Sequence, residues 1–288
     1  MPLVETAQAK VNLALHVVGR RDDGYHLLDM LVAFPDTGDA LAFAPDPRSD
    51  FSLTMTAASA PALVDCPAED NLVLRAARAF RDAFGRPAGG RFTLEKRLPV
   101  AGGVGGGSAD AAATLRLLAR LEGIEPADPV LAALALGLGA DVPMCLASAS
   151  ARVRGIGEDL TPVPGLPPLG VVLANPGVAV ATPAVFRSLA HRDNPPLPPI
   201  PPFVSGAELV AWLASTRNDL QAPAIRLEPR IGTAIEALAR LDGARFARMS
   251  GSGATCFALF DDRAAAESAA ASLRRAHPDW WTAAAAIA

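Results

Sequence analysis

From Lys10 to Val18 the chain alternates. Val11, Leu13, Leu15 and Val17 fall on one face, and Lys10, Asn12, Ala14 and His16 on the other. A period of two is that of a half-buried strand, so the segment predicts a strand with Lys10 and Asn12 side by side on its non-core face. "RRDDGYH" (20–26) then carries a glycine turn signal, and "LLDMLVAF" predicts a second extended segment. Two short strands joined by a turn are expected in "LAFAPDPRSDFSLTMTA", and another strand in "GGRFTLEKRLPV". The pattern changes in "AEDNLVLRAARAFRDAFG", which predicts a helix with acidic residues at its start and Gly85 just past its end.

Ala111, Leu115, Leu118 and Leu121 recur at helical spacing. "DPVLAALALGLGADVPMCL" predicts a further helix, a glycine stop and a new start near Asp141. "ARVRGIGEDLTPV" and "GVVLANPGVAVATPAVF" read as strands with turns. "DNPPLPPIPPF" is too proline-dense for helix or central strand and predicts a surface loop. Helices near "GAELVAWLAS" and "RIGTAIEALARL", a strand pair framing "MSGSGATCFALF" and the helix "RAAAESAAASLRRA" complete a mixed α+β order in two lobes.

Between the strand "RFTLEK" and the helix near residue 111 stand five glycines in six positions, 102–107, followed by Ser108. Strand, glycines, serine, helix puts free backbone N–H groups at a helix N-terminus, where an anion such as phosphate is favoured. Ser108 either caps the helix or turns its hydroxyl to a phosphate or its metal. A flexible loop before an ordinary helix is the plainer alternative. No lysine follows the glycines, so this is not a Walker loop, and no βαβ unit with an acidic ribose ligand supports a dinucleotide fingerprint.

Composition narrows the classes. The 288 residues are 51% hydrophobic and 19% charged, which is globular, and a net charge of -4 without a dense basic run disfavours nucleic acid as a partner. The most apolar stretch, Val130–Ala140, is about half of the ~20 residues a membrane span needs. No secretory leader is visible at the N-terminus. Cys66, Cys145 and Cys256 are scattered and odd in number, with no zinc spacing, which suits free thiols in a reducing cytoplasm.

"PVAGGVGGGSADAA" resembles the ATP-phosphate loop of the GHMP kinases, and "AKVNLALHV" and "MSGSGATCFALF" resemble that family's first and last motifs, in the family's order. Ala109 stands where a second serine is common and Ala101 where glycine is frequent; both are small. The resemblance implies a two-lobed GHMP kinase fold. An ATP-binding N-terminal domain (1–160) with a left-handed βαβ unit would precede a C-terminal α/β domain (161–288), with the active site in the cleft between. "DGYH", "LGADVPMCL" and "ANPGVAVATPAVF" resemble the branch whose acceptor is a cytidyl diphosphate sugar alcohol. An acceptor of homoserine or mevalonate type, or a nucleotide-binding regulator without turnover, are the alternatives.

Carried onto this chain, the resemblance makes Asp141 the carboxylate base and Lys10 the cation that offsets phosphate charge. Asp141 also reads as a helix N-cap, and Lys10 as a solvated strand lysine. Asn12 would hold substrate or orient Lys10. Tyr25, by stacking, and His26, by hydrogen bonding, would read cytosine, with Phe186 on the other side of the base and Thr182 on the erythritol or diphosphate. Asn71 and Lys96 fall where the family surrounds adenine; Asn71 otherwise reads as a cap. Pro99, Val100, Ala101, Gly102, Gly103, Val104, Gly105, Gly106, Gly107, Ser108 and Ala109 would wrap the phosphates of ATP. Magnesium is expected to ride on those phosphates and water, with no dedicated metal ligands. A monomer or homodimer is expected, and His16, His191 and His277 read as surface or satisfied polar positions.

Overall fold

The computed structural model describes residues 3–57, 71–99, 102–163 and 165–287. Val100 and Ala101 of the glycine loop, and Cys66, lie outside them. The chain divides into two interleaved units: 1–9, 38–100 and 105–148 in the first, and 10–37, 101–104 and 149–288 in the second.

Among the described residues the first unit has a four-stranded sheet and four helices. Its strands β1 (Leu3–Gln8), β4 (Gly38–Pro45), β5 (Phe51–Ala57) and β6 (Gly90–Lys96) run in the order β1-β4-β6-β5. β4 and β5 are the pair expected from sequence, but each pairs with β6 instead of the other. The β5–β6 pairing is parallel, because helix α1 (Leu72–Phe84) carries the chain back between them. Asn71 caps α1 by accepting from the Val73 N–H, and Gly85 ends it in the left-handed conformation at φ 73°. Val73, Leu74, Ala77 and Phe80 recur at helical spacing and are buried. Phe43 stacks on Phe92 at 4.4 Å and Phe51 lies 5.9 Å from Phe92, forming the aromatic centre of the unit.

α2 (Gly106–Glu122) packs on α1, β1 and β4, followed by α3 (Pro129–Leu138) and α4 (Val142–Ala147). Arg116 fastens α2 to its neighbours, donating to Glu5 at 3.0 Å, the Thr6 carbonyl at 3.0 Å and the Cys145 carbonyl at 2.5 Å. Among the described residues no helix is long and apolar enough to cross a membrane.

The second unit has two sheets. β2 (Val11–Arg20), β3 (His26–Ala33), β7 (Ala151–Gly155) and β8 (Asp159–Pro162) form one in that order. β10 (Phe246–Met249), β11 (Cys256–Phe260), β9 (Leu169–Asn175) and β12 (Trp281–Ile287) form the other, also in that order. α8 (Arg230–Ala239) and α9 (Arg263–Ala276) pack on the second sheet; α5 (Thr182–Arg187), α6 (Gly206–Ala214) and α7 (Gln221–Leu227) lie between strands in sequence.

Two expectations are corrected here. β2 is buried on both faces, not half-buried: Lys10, Asn12, Ala14 and His16 are as covered as Val11 and Leu13. "TPAVF" is not extended but forms α5, started by Pro183 in its first turn and closed by Ser188 donating back to the Ala184 carbonyl. The proline-rich run 193–203 has no regular element, as expected. Leu197 is its buried anchor, with its N–H donated to Asp29, which also holds Arg152 through both carboxylate oxygens.

His16 ties the same run to β2. Its Nδ1 is 2.9 Å from the Pro195 carbonyl, and Nε2 accepts from the Arg217 N–H at 3.0 Å. That pattern needs the neutral ring, and burial, with Arg217 adding to it, holds the His16 pKa below the usual histidine range. Above that range neither folded nor unfolded chain binds the proton; below it the unfolded chain takes one that the folded chain refuses. Stability should therefore fall as pH drops through the histidine range. His16→Asn should flatten that slope in a series of thermal melts; an unchanged slope would assign the loss to other groups.

Candidate active site

Three backbone segments of the second unit meet around Lys10 and Asn12. The Lys10 N–H donates to the Val104 carbonyl at 2.9 Å, and Lys10 Nζ donates to Asn12 Oδ1 at 3.1 Å. Asn12 in turn donates its N–H to Ser250 Oγ at 3.1 Å, and its side-chain amide to Met30 Sδ at 3.1 Å. The Ser250 hydroxyl in turn donates to the Gly103 carbonyl at 3.3 Å, and the Thr255 N–H donates to the Gly102 carbonyl at 3.0 Å. The glycine loop and "SGSGA" are thus laced together along β2.

Glycine is required here by contact and by conformation. Gly103 has φ +71°, and a Cβ on it would stand 2.4 Å from the Gly253 carbonyl oxygen. Asn218 holds the second loop: its amide donates to the carbonyls of Met249 (2.8 Å) and Gly251 (2.9 Å), while its Oδ1 accepts from the Leu220 N–H. Asn218 carries no signal in the sequence, because the two carbonyls it holds are more than thirty residues away and "RNDL" is not periodic. Arg248 carries none either. It donates to the carbonyls of Leu13, Leu213 and Thr216 and to Thr216 Oγ1, and burial lowers its pKa to about 10.

The β2–β3 hairpin carries Tyr25 and His26. Gly24, at φ +94°, turns the chain, and Arg21 and Tyr25 close the turn by an N–H to carbonyl bond of 2.8 Å. Tyr25 is 60% exposed. His26 stacks on Phe186 of α5, ring centroids 4.8 Å apart and planes 27° from parallel. His26 Nε2 is buried without a hydrogen-bond partner. Burial, then the charges of Arg20 and Arg192, keep its pKa below the usual range, so a neutral ring offers its edge. Thr182 starts α5 one turn before Phe186, and its Oγ1 lies 2.7 Å from Ser252 Oγ.

In the first unit, α2 opens at the end of the glycine run. Gly105 occupies its N-cap at φ 68°, and no side chain caps it, so the first N–H groups remain for another acceptor. Ser108 therefore lies inside the first turn instead of at the cap. Asn71 is a cap in fact, with its amide 3.5 Å from Met55 Sδ. Lys96 is buried between two carboxylates, donating to Asp39 Oδ2 and, at 2.8 Å, to Asp110 Oδ2. Neither aspartate had a signal in sequence, since their shared lysine lies 57 and 14 residues away. Asp141 occupies the N-cap position of α4, yet its side chain makes no capping hydrogen bond.

Comparison with known proteins agrees with these motifs. Residues 71–149 match the family described as GHMP kinases N terminal domain, and residues 205–279 the one described as GHMP kinases C terminal. The 4-diphosphocytidyl-2-C-methyl-D-erythritol kinase of Cereibacter sphaeroides (strain ATCC 17025 / ATH 2.4.3) is 54% identical, over 96% of this chain and 95% of that protein. The enzyme of the same name from Paracoccus denitrificans (strain Pd 1222) is 53% identical, over 99% of this chain and 96% of that protein. A crystal structure of 4-(cytidine 5'-diphospho)-2C-methyl-D-erythritol kinase superimposes with a TM-score of 0.78 at 37% identity, covering 99% of both chains. The mevalonate kinase of Methanococcus jannaschii, at 10% identity and a TM-score of 0.66, shares the fold, covering 100% of this chain and 98% of its own. With two family domains matched and full-length relatives above half identity, the chain belongs to the GHMP kinases.

Proposed function

We propose that this chain transfers the γ-phosphoryl group of ATP to the 2-hydroxyl of 4-diphosphocytidyl-2-C-methyl-D-erythritol, giving the 2-phosphate and ADP. The reaction belongs to isoprenoid precursor synthesis by the non-mevalonate route, in the cytoplasm. The relatives that match the full chain carry this substrate in their names. The observation that carries the reading is His26: a neutral, buried ring edge with an unused Nε2, stacked on Phe186. Homoserine and mevalonate have no base for such an edge to read.

Phosphoryl transfer to a hydroxyl needs alignment, charge neutralisation and a destination for the proton. Asp141 takes the proton of the 2-hydroxyl as its oxygen bonds to the γ-phosphorus and the bond to ADP breaks. Lys10 offsets the charge on the phosphoryl oxygens, and Asn12, which accepts from Lys10 Nζ, holds the ammonium in place. Tyr25 covers one face of the cytosine and Phe186 supports the other side; Thr182 binds the erythritol or diphosphate. Pro99 to Ala109 cradle the phosphates, with Asn71 and Lys96 beside the nucleotide. The family's nucleotide-binding domain is assigned to residues 1–160 and its C-terminal domain to 161–288. Among the described residues no group of three His, Cys, Asp or Glu could hold magnesium. Magnesium would ride on the ATP phosphates and water and offset their charge.

The direct test is ADP release on mixing the chain with ATP and the cytidyl substrate, beside a thermal melt with CDP. Turnover and a CDP-dependent rise in Tm are expected. Turnover with homoserine or mevalonate and no response to CDP would overturn the cytidyl assignment. Tyr25→Ala should raise KM for the cytidyl substrate about 5- to 150-fold, the loss of ~1–3 kcal/mol of base stacking, with KM for ATP nearly unchanged. Equal effects on both substrates would make Tyr25 a structural residue.

A further inference from the structure

Lys96, Asp39 and Asp110 form a buried cluster whose members come from β6, the start of β4 and the second turn of α2. Asp39 is fully engaged: Oδ1 accepts from the N–H groups of Arg97 (2.6 Å) and Leu98 (2.8 Å), and Oδ2 accepts from Lys96. Asp110 is not. Its Oδ2 accepts from Lys96 at 2.8 Å, but its Oδ1 is buried with no hydrogen-bond partner. Two carboxylates therefore share one ammonium, and one of their four oxygens has no donor.

The cluster adjoins the open end of α2. A Cβ on Gly106, the first residue of that helix, would sit 3.5 Å from Lys96 Nζ and 3.8 Å from Asp39 Oδ2. In a helix, side chains lean toward the N-terminus, so Asp110 leans over this same first turn. Nearby, α1 contributes an apolar group, with Leu72 Cδ1 3.5 Å from the corresponding point on Gly107. On β1, Glu5 is committed to Arg116 and Arg120; α3 carries no titratable side chain, and Cys145 of α4 is buried. The charges acting on Asp110 are those of Lys96 and Asp39.

We propose that Asp110 is a proton-taking positioning residue for nucleotide binding. When phosphate charge arrives at the first turn of α2, Asp110 binds one proton from solvent on Oδ1. The cluster then passes from one net negative charge to none, Lys96 keeps a single ionised counter-ion, and Oδ1–H becomes a donor. No other bond forms or breaks. Burial and the neighbouring Asp39 already raise the Asp110 pKa to about 7, so an approaching anion needs to push it only modestly further. The inference rests on the reading that α2 receives the phosphates of ATP.

The test is isothermal titration of the full chain with ADP in excess magnesium, in two buffers of different ionisation enthalpy, from pH 6.5 to 8.5. The wild type should take up a proton on binding above pH 7, and its affinity should weaken by up to about tenfold per pH unit there. Asp110→Asn mimics the protonated acid: one oxygen accepts from Lys96, and an amide donor stands where Oδ1–H would be. It should lose the uptake and bind ADP more tightly than wild type at pH 8.5, with little difference at pH 6.5. A merely structural aspartate would instead weaken binding at every pH. ADP binding without uptake in the wild type, or with equal uptake in the variant, overturns the proposal. No ADP binding by the wild type at any pH removes the nucleotide reading of α2 and the proposal with it. Should Asp110→Asn fail to fold, the wild-type uptake and pH slope decide alone.

Discussion

Asp141→Asn is expected to lower kcat by about 10²–10⁴-fold while leaving ATP binding nearly unchanged, the pattern left by losing a proton acceptor in the transition state. The separation of effects follows from the geometry of α4. An aspartate at an N-cap ordinarily contributes about 1 kcal/mol by accepting from the first helical N–H groups. Asp141 occupies that position without making the bond, so the amide removes a charge and a base but no cap. Steady-state kinetics with both substrates, with Tm measured alongside, separate the cases. Wild-type turnover in the variant removes Asp141 from the chemistry. A large drop in Tm with a matching loss of activity makes Asp141 a structural residue instead, and not through a cap, since asparagine caps as well as aspartate.

Gly103→Ala should be strongly damaging, because it adds a methyl where both the backbone conformation and the space exclude one. The left-handed conformation at φ +71° costs a non-glycine residue roughly 1–2 kcal/mol. The added carbon also lands 2.4 Å from a backbone oxygen, that of Gly253. Gly253 cannot easily withdraw, because its N–H is bonded to the Ser250 carbonyl at 3.0 Å, and Ser250 is bonded to both Asn12 and Gly103. A total loss of about 3 kcal/mol or more is expected. It should appear as a lower Tm and a more than tenfold rise in KM for ATP. Gly107→Ala is the control. Its Cβ would meet only Leu72 Cδ1 at 3.5 Å, inside α2, where alanine is favoured over glycine by roughly 0.5–1 kcal/mol. Its Tm should hold or rise. If the two variants melt alike, the close approach at Gly103 is not a constraint.

The longer helices are legible because their signals are local, whereas the short α5 and α7 are not. Asn71, Asp128 and Gly85 mark ends that the structure places within a residue of them. β12 gave no such signal: "WTAAAAI" has little β-propensity, and it is a strand because β9 offers it a seven-residue antiparallel ladder. β2 was read as half-buried because alternation records polarity, whereas Asn12 and His16 are polar residues buried by specific partners. "TPAVF" was read as extended because its valine and phenylalanine follow a strand; Pro183 was the overlooked start signal. The site divides in the same way. Lys10, Asn12 and the glycines stand in contiguous motifs, and His26 and Tyr25 in one hairpin. Asn218, Asp39 and Asp110 matter only through partners brought near by folding, and pair contacts of that kind leave no trace in a single sequence.

The bond from the Asn12 N–H to Ser250 spans 238 residues, and its consequence lies in how the protein is made. At roughly 5–20 residues per second, a ribosome needs about 10–50 s to travel from one partner to the other. For most of that interval the first hairpin is already synthesised while the serine that will hold it has yet to be translated. Premature termination anywhere between Asn12 and Ser250 would thus leave a product with Lys10 and Asn12 but without the serine that supports them.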